Sequence, residues 1–341
     1  MIPASFNDLP HRRHNPLLDE WVLVSPHRGK RPWKGQVEKI TKSELPTYLP
    51  EDYLGPGNTR ANGEVNPNYT DTFVFENDFA ALFQHSEKTN YSNGLLKAQT
   101  ETGICKVICF SPLYNVSLAQ MGITDIEKVI ETWQNQFEEL SQVPQINYVQ
   151  IFENKGETMG CSNPHPHGQI WAQETIPGIP AKEGASQLDY FKTNQSSLLG
   201  DYLNQELELK ERIVYENDSF VVLVPFWALW PFETLLLPRK HQQTILQLTS
   251  AEKQDFATAI KAITSAYDTL FNVSFPYSAG IHQAPTDGNK HTAWHWHMHF
   301  FPPLLRSATI KKFMVGYEMM AEAQRDITPE KSAEMLRSVT L

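Results

Sequence analysis

The sequence "FENDFAAL" at residues 75–82 returns as "YENDSFVVL" at residues 215–223. After each copy the chain continues in the same order, with an apolar strand, a loop, an amphipathic helix and a β-rich run that ends on alternating histidines. Self-similarity of this kind predicts two structural repeats in tandem. Chance similarity is the alternative, but several correspondences in one order favour the repeat.

Each half carries a signal for the start of its helix. Thr124 and Thr249 are followed three residues later by Glu127 and Glu252, which is the pattern of a capping box. Each half is expected to run strand, strand, helix, strand and histidine strand. This order predicts an α+β fold, in which two similar halves build an antiparallel sheet with packed helices.

The repeat also sets the expected domain boundaries. We expect an N-terminal half at residues 1–173, a connector at 174–205 and a C-terminal half at 206–341. Residues 308–337 have a helical composition and are expected to pack back on the core.

The histidine strands carry the clearest functional pattern. His165, His167 and Gln169 alternate in the first half, and "HWHMH" at residues 295–299 occupies the corresponding place in the second. Side chains alternate across a strand, so we expect each set to share one face. A single histidine is more often a packed residue than a ligand, but two matched sets favour a function.

The second set favours a metal site. His297 and His299, together with His282 of "GIHQAP", are candidate ligands, and three histidines with a carboxylate favour zinc or iron. Because His291 and His295 are also near in sequence, spacing alone leaves the ligand set open.

The first set favours phosphoryl chemistry. An imidazole in "NPHPHGQ" at residues 163–169 has the chemistry of a base, a ligand or a nucleophile. Gln169 is able to donate a hydrogen bond to a phosphoryl oxygen but not to give a proton to a leaving group. Gly168 is expected to let a ligand approach closely.

Composition excludes several classes of protein. Among 341 residues, Lys and Arg number 29 and Asp and Glu number 39, for a net charge of −10, which argues against nucleic-acid binding. The apolar run at 220–232 is too short to span a bilayer, and we see no signal peptide. Three cysteines without a CxxC suit a reducing compartment, so we expect a soluble cytoplasmic protein.

Long stretches of the chain resemble one enzyme family, and they lie at residues 60–82, 159–172, 225–241 and 301–330. They are similar to the galactose-1-phosphate uridylyltransferase family of the histidine-triad superfamily, whose members have two similar halves. The resemblance implies exchange of a uridylyl group between UDP-glucose and galactose 1-phosphate by a ping-pong reaction. It makes His167 the nucleophile that carries the uridylyl group and Gln169 the donor to its phosphoryl oxygen.

The resemblance also implies further binding residues. Those near the uridine and the ribose are Asn77, Asp78 and Phe79, those around the transferred phosphoryl group are Cys161 and Ser162, and Asn154 is a further site residue. Those near the phosphates and the hexose phosphate are Arg28, Arg31, Lys312, Phe313, Val315, Tyr317, Glu318 and Gln324. On residue type alone, "END" also fits a turn and the arginines also fit solvated surface charge.

A metal site and a homodimer follow from the same resemblance. The implied ligands of one structural zinc or iron ion are Glu183, His282, His297 and His299. The segment at 301–330 is implied to reach the site of a neighbouring subunit, so we expect a homodimer.

The chain departs from the family at a second zinc site. Asp52 and Gly55 stand where some members have cysteines, and Asn115 is expected in place of a histidine ligand. Without thiolates we expect no zinc there, and His165 is expected to serve packing or hydrogen bonding. A weak metal site made of Asp52 and His165 is the alternative.

Two other functions are alternatives to uridylyl transfer. One is a dinucleoside polyphosphate phosphorylase or hydrolase of the same superfamily, which the hexose-phosphate segment at 301–330 argues against. The other is a non-catalytic nucleotide-binding or metal-stabilised protein, which the joint presence of His167, Gln169, Arg28 and Asn77 makes the weaker interpretation.

Overall fold

The computed structural model describes residues 3–30, 45–307, 310–311 and 314–340. Arg31, Lys312 and Phe313, which the resemblance assigns to substrate binding, lie outside these residues. No helix within the described ranges is long and apolar enough to cross a bilayer.

The secondary structure alternates between strands and helices. The strands of the described residues are β1 (His11–Asn15), β2 (Glu20–Val24), β3 (Phe73–Glu76), β4 (Asn90–Asn93), β5 (Leu96–Gln99), β6 (Gly103–Cys109), β7 (Tyr148–Lys155), β8 (His167–Gln173), β9 (Ile213–Glu216), β10 (Phe220–Leu223), β11 (Thr234–Pro238), β12 (Tyr277–His282), β13 (His297–Phe301), β14 (Leu305–Ser307), β15 (Ile310–Lys311) and β16 (Gln324–Arg325). The α-helices are α1 (Ile123–Ser141), α2 (Gly178–Asn194), α3 (Leu198–Leu209), α4 (Ser250–Phe271), α5 (Tyr317–Met320) and α6 (Pro329–Arg337).

A nine-stranded sheet joins the two halves, in the order β3-β6-β8-β7-β12-β13-β11-β10-β9. All of its neighbouring strands are antiparallel. The halves meet where β7 pairs with β12, from Tyr277 opposite Lys155 to Ile281 opposite Ile151. On either side of this junction the strands β8 and β13, then β6 and β11, occupy corresponding places. The predicted α+β fold with an antiparallel sheet is confirmed.

Helices α1 and α4 pack together against one face of the sheet. Trp133 of α1 and Phe256 of α4 are buried there with Ile170 and Ala172 of β8. Because residues alternate along β8, His167 and Gln169 project from the opposite face. In the second half that opposite face is covered by α3.

Strand register places the two histidine sets on one face. Gln169 lies opposite Phe152, Phe152 opposite Gly280, and Gly280 opposite His299. Residues directly opposite each other share a face, so Gln169 and His299 project to the same side of the sheet. The predicted correspondence between the two histidine strands is therefore present in the fold.

Three local expectations need correction. Thr249 caps α4 with the expected box to Glu252, but α1 starts two residues earlier than predicted, after Gly122, and Thr124 is not its cap. The expected order of two strands before the helix is wrong in both halves, since β1 to β6 precede α1 and β9 to β11 precede α4. The segment 174–205 holds α2 and most of α3. Residues 308–337 contain α6, which packs on β9 and α4, but little other helix among those described.

Candidate active site

His167 begins β8 and is held by its own backbone. Its Nδ1 lies 2.7 Å from the carbonyl oxygen of His165. A carbonyl only accepts, so Nδ1 carries the proton and the lone pair is on Nε2. Burial lowers the pKa of His167 below its ordinary value of 6.5, against the opposing effect of that carbonyl. The side chain is therefore a neutral imidazole at pH 7 with a free nucleophilic nitrogen.

Gln169 follows on the same face. Its Oε1 accepts a hydrogen bond from Trp171 Nε1 at 3.3 Å, which leaves the NH2 group as the end that donates to a ligand. Gly168 between them is buried, and a Cβ there would lie 2.7 Å from Phe110 Cζ. The expectation that Gly168 opens space for a ligand is therefore wrong, because this glycine makes room for the core.

A cavity of about 520 Å³ opens at His167. Asn154 and Cys161, both implied by the resemblance, line it. Asn154 Oδ1 accepts a hydrogen bond from Ser278 Oγ at 2.7 Å, so its NH2 group is available to a ligand. Ser162 is exposed and is not among the lining residues.

Two ionisable residues of this cavity were missed in the sequence. Glu153 and Lys155 line it beside Asn154. Burial raises the pKa of Glu153 to about 7, although Lys155 and the hydroxyl of Tyr277 at 3.1 Å act in the opposite direction. Lys155 is paired with Asp268 at 3.0 Å. The sequence did show two charged residues in the otherwise apolar run "INYVQIFENKG". Strand alternation, however, did not indicate which residues either of them contacts.

The "END" copies both form turns. Asn77 Oδ1 accepts from the backbone N–H of Phe79 at 2.9 Å, and Asn217 makes the equivalent bond to Ser219 at 3.1 Å. The turn interpretation is thus right, and it leaves the ring of Phe79 81% exposed at the end of β3. Asp78 pairs with Arg60 at 3.3 Å, a partner the sequence did not reveal.

The residues implied to bind phosphate and hexose form a separate group. Arg28 Nε lies 3.3 Å from Asp326 Oδ1, and Gln324 Nε2 donates to the same oxygen at 2.8 Å. Val315 and Tyr317 are exposed nearby in sequence, and Glu318 pairs with Arg325. Within the part of the chain that is described, none of this group lines the cavity at His167.

The second histidine set forms a compact cluster with one carboxylate. Ligand atoms of Glu183, His282, His297 and His299 all lie within 4.8 Å of one another. Glu183 Oε2 is 2.8 Å from His282 Nδ1, and its side chain is only 2% exposed. His297 Nε2 and both ring nitrogens of His299 are buried without a hydrogen-bond partner. Burial lowers the pKa of His299 to about 3, so it is neutral.

These features fit a metal ion. Neutral imidazoles and a carboxylate are the donors that zinc and iron accept, and buried nitrogens without partners are rare in folded proteins. His295 precedes β13 and bonds to Ser197 and Pro238 instead, while His291 pairs with Asp287. In the described residues, the cluster therefore contains His282, His297 and His299, whereas His291 and His295 have other partners.

His165 lies outside β8, so it does not share the face of His167 and Gln169 as expected. Its buried ring lies against Asp52, and His165 Nδ1 is 2.7 Å from Asp52 Oδ2. Tyr114 packs against this ring, with the ring centroids 6.2 Å apart, whereas Asn115 is exposed. The expectation that Asn115 replaces the missing ligand is therefore wrong.

Comparisons with known proteins agree along the whole chain. "Galactose-1-phosphate uridyl transferase, N-terminal domain" matches residues 3–177, and the corresponding C-terminal domain matches 183–341. A galactose-1-phosphate uridylyltransferase of Haemophilus influenzae is 51% identical, covering 97% of this chain and 95% of that protein. One of Rattus norvegicus is 52% identical, covering 96% and 87%. A solved structure described as "Structure of uridylyltransferase" has the same fold, with a TM-score of 0.76 at 23% identity over 97% of this chain and 98% of that one.

Proposed function

The chain belongs to the galactose-1-phosphate uridylyltransferase family and is an enzyme of the nucleotidyltransferase class, and from this premise we propose its reaction and mechanism. It transfers a uridylyl group from UDP-glucose to galactose 1-phosphate and releases glucose 1-phosphate and UDP-galactose. The reaction proceeds in two half-reactions through a uridylyl group bound to His167.

One observation carries the mechanism, which is the 2.7 Å contact between His167 Nδ1 and the His165 carbonyl. The free Nε2 attacks the α-phosphorus of UDP-glucose. The bond from that phosphorus to the bridging oxygen breaks, and glucose 1-phosphate leaves with the electron pair as a phosphate that needs no proton. A phosphate oxygen of galactose 1-phosphate then attacks the same phosphorus and frees His167.

Neighbouring side chains support this chemistry by their free hydrogen-bond donors. The amide of Gln169 donates to a non-bridging oxygen of the α-phosphate, where negative charge is held during both attacks. Asn154 and Cys161 line the same cavity. We assign Asn77, Asp78 and the exposed ring of Phe79 to the nucleoside, because polar groups suit ribose hydroxyls and an aromatic ring suits the uracil face.

We assign Arg28 and Gln324, with Val315, Tyr317 and Glu318, to the phosphate and hexose of a neighbouring subunit's substrate. The separation of this group from the cavity of its own chain supports a homodimer with shared sites. We also infer a cytoplasmic enzyme, for which three unpaired cysteines give support.

A zinc or iron ion fits the cluster of Glu183, His282, His297 and His299. When bound, it would supply a structural crosslink and no reacting group, because its ligands are distinct from His167. Glu183 comes from α2 and the histidines from β12 and β13, so the ligands join the connector to the sheet.

The proposed intermediate is tested by labelling. UDP-glucose carrying label in the uridylyl phosphate, without an acceptor, should give a protein adduct that is stable in base and labile in acid. His167→Ala should form none, and Gln169→Ala should form it about 10²- to 10³-fold more slowly, as expected for loss of one donor. Since the pKa of His167 is lowered, the rate should be constant above pH 7 and fall only as the pH drops below 6.5.

His85→Ala, which removes an exposed histidine, is the control and should label like the parent protein. Labelling that persists in His167→Ala contradicts the assigned nucleophile. Release of UMP in the absence of an acceptor, at the rate of normal turnover, would identify a hydrolase instead.

A further inference from the structure

His165 is a buried histidine to which the proposed reaction assigns no chemical step. Its side chain and that of Asp52 are each 1% exposed. Its Nδ1 faces Asp52 Oδ2 at 2.7 Å, and its Nε2 faces the carbonyl oxygen of Ser111 at 2.8 Å and the hydroxyl of Tyr69 at 3.1 Å. Every polar neighbour of the ring is thus an oxygen.

These oxygens all act as acceptors toward the ring. The Ser111 carbonyl only accepts, and Tyr69 gives its own proton to the Leu54 carbonyl at 2.6 Å. Nε2 therefore carries a proton. On the other side, Asp52 Oδ1 already accepts from Asn163 Nδ2 at 2.8 Å and from the backbone of Leu54 at 3.1 Å.

The remaining proton lies between Asp52 and His165 Nδ1. Histidine is the stronger base of the two, and the contacts of the carboxylate favour its ionised form. Burial alone raises the pKa of Asp52, but the hydrogen bonds of His165 and Asn163 reverse this and lower it. Of the other ionisable groups nearby, burial raises the pKa of Cys109 to about 12 and that of Tyr69 further, so both are neutral.

We propose that Asp52 and His165 form a buried carboxylate–imidazolium pair that positions the nucleophile. The inference rests on the proposed role of His167. The pair fixes the loop before β8, because Asp52 also holds Asn163, whose Oδ1 accepts from the backbone N–H of His165 at 2.9 Å. The His165 carbonyl is thereby held where it accepts the Nδ1 proton of His167.

The other half of the repeat provides an internal comparison. His295 corresponds to His165, and its carbonyl accepts from His297 Nδ1 at 3.0 Å. The ring of His295, however, faces the hydroxyl of Ser197, which is able to donate as well as accept, and among the described residues no carboxylate bonds to it. The charged pair is thus found in the half that carries the nucleophile.

The protonation state is tested by NMR of the whole protein with ring-15N-labelled histidine. His165→Gln identifies the His165 signals by their loss. Since both ring nitrogens of His165 face acceptors, we expect both to carry a proton in the folded protein at pH 7. A single protonated nitrogen in this ring at pH 7 would overturn the pair. If His165→Gln does not fold, the signals are assigned in the unmodified protein from their contact with the ring of Tyr114.

The positioning role is tested with Asp52→Asn, which keeps the shape of the side chain and removes its charge. We expect adduct formation to slow about 10- to 100-fold, as for a small misplacement of a reacting group, while the KM for UDP-glucose stays within about twofold. His165 in this variant should have one protonated ring nitrogen at pH 7, because the carboxylate that faces Nδ1 is gone. Asp287→Asn breaks another His–Asp contact of 2.7 Å, to His291, and should label at the parental rate.

The labelling and NMR experiments distinguish the role of His167 from that of the Asp52–His165 pair. An unmodified protein that forms no adduct refutes the proposed mechanism, whereas the NMR result for His165 still stands. An unmodified protein that labels normally, together with an Asp52→Asn variant that labels equally fast, refutes the positioning role alone.

Discussion

At the residue scale, Gly168 shows how tightly the nucleophile strand is seated on the core. A Cβ at this position would lie 2.7 Å from Phe110 Cζ and 2.9 Å from the Phe152 carbonyl oxygen. We expect Gly168→Ala to lower the free energy of unfolding by about 1–3 kcal/mol, as overpacking does, and to slow labelling of His167. Urea denaturation and the labelling rate measure the two effects. Gly178→Ala is the control, because a Cβ there meets nothing within 4 Å, and equal stability of both variants would contradict the argument.

Site residues differ in how far the sequence could identify them. His167 and Gln169 stand in a short motif, so alternation along one strand was enough to bring them together. Glu183 lies on α2, about a hundred residues before its histidines, and only the resemblance pointed to it. Asp52 drew attention in the sequence because it stands where some family members have a cysteine ligand. Its contact with His165 joins two segments that are far apart in sequence, so no local pattern predicts that contact.

At the element scale, the proposed metal site links α2 to the sheet. Glu183 on this helix faces histidines of β12 and β13. Without an ion, buried ligands would be left incompletely paired, and an ion that binds only the folded state adds about 2.7 kcal/mol at a hundredfold excess over its Kd. We therefore expect a chelator to lower the melting temperature and His299→Ala to reduce metal content, measured by elemental analysis. His291→Ala should keep its metal, and unchanged metal content in His299→Ala would refute the assigned site.

The elements themselves were predictable where the signal was local. Thr249 and Glu252 form the capping box that their spacing predicts, with Thr249 Oγ1 accepting from the Glu252 backbone at 3.3 Å. The same spacing at Thr124 did not cap α1, because Gly122 has the extended backbone that precedes a helix and the chain turns there first. The spacing of residues predicts a candidate N-cap. Which residue becomes the N-cap depends on the conformation of the preceding loop.

At the scale of the whole molecule, the proposed substrate residues fall into two groups that lie apart. Arg28 is tied to Asp326 and lies in the group with Gln324, apart from the cavity at His167. If partners exchange these groups, His167→Ala and Arg28→Ala damage opposite sides of each composite site. Each mixed dimer then has one intact site and one doubly damaged site.

Mixing the two variants therefore gives the sharpest test of shared sites. Subunits that exchange at random in equal amounts should form mixed dimers half of the time, so about a quarter of all sites should become active, although each variant alone is impaired. Transferase activity measured before and after subunit exchange gives the result, and sedimentation confirms that dimers are present. A mixture of His167→Ala with His167→Asn is the control and should gain nothing. If the mixture of His167→Ala and Arg28→Ala also shows no increase in activity while its dimers exchange, each active site lies within one chain. Arg28 would then act at the His167 of its own chain, and the proposal of shared sites would be wrong.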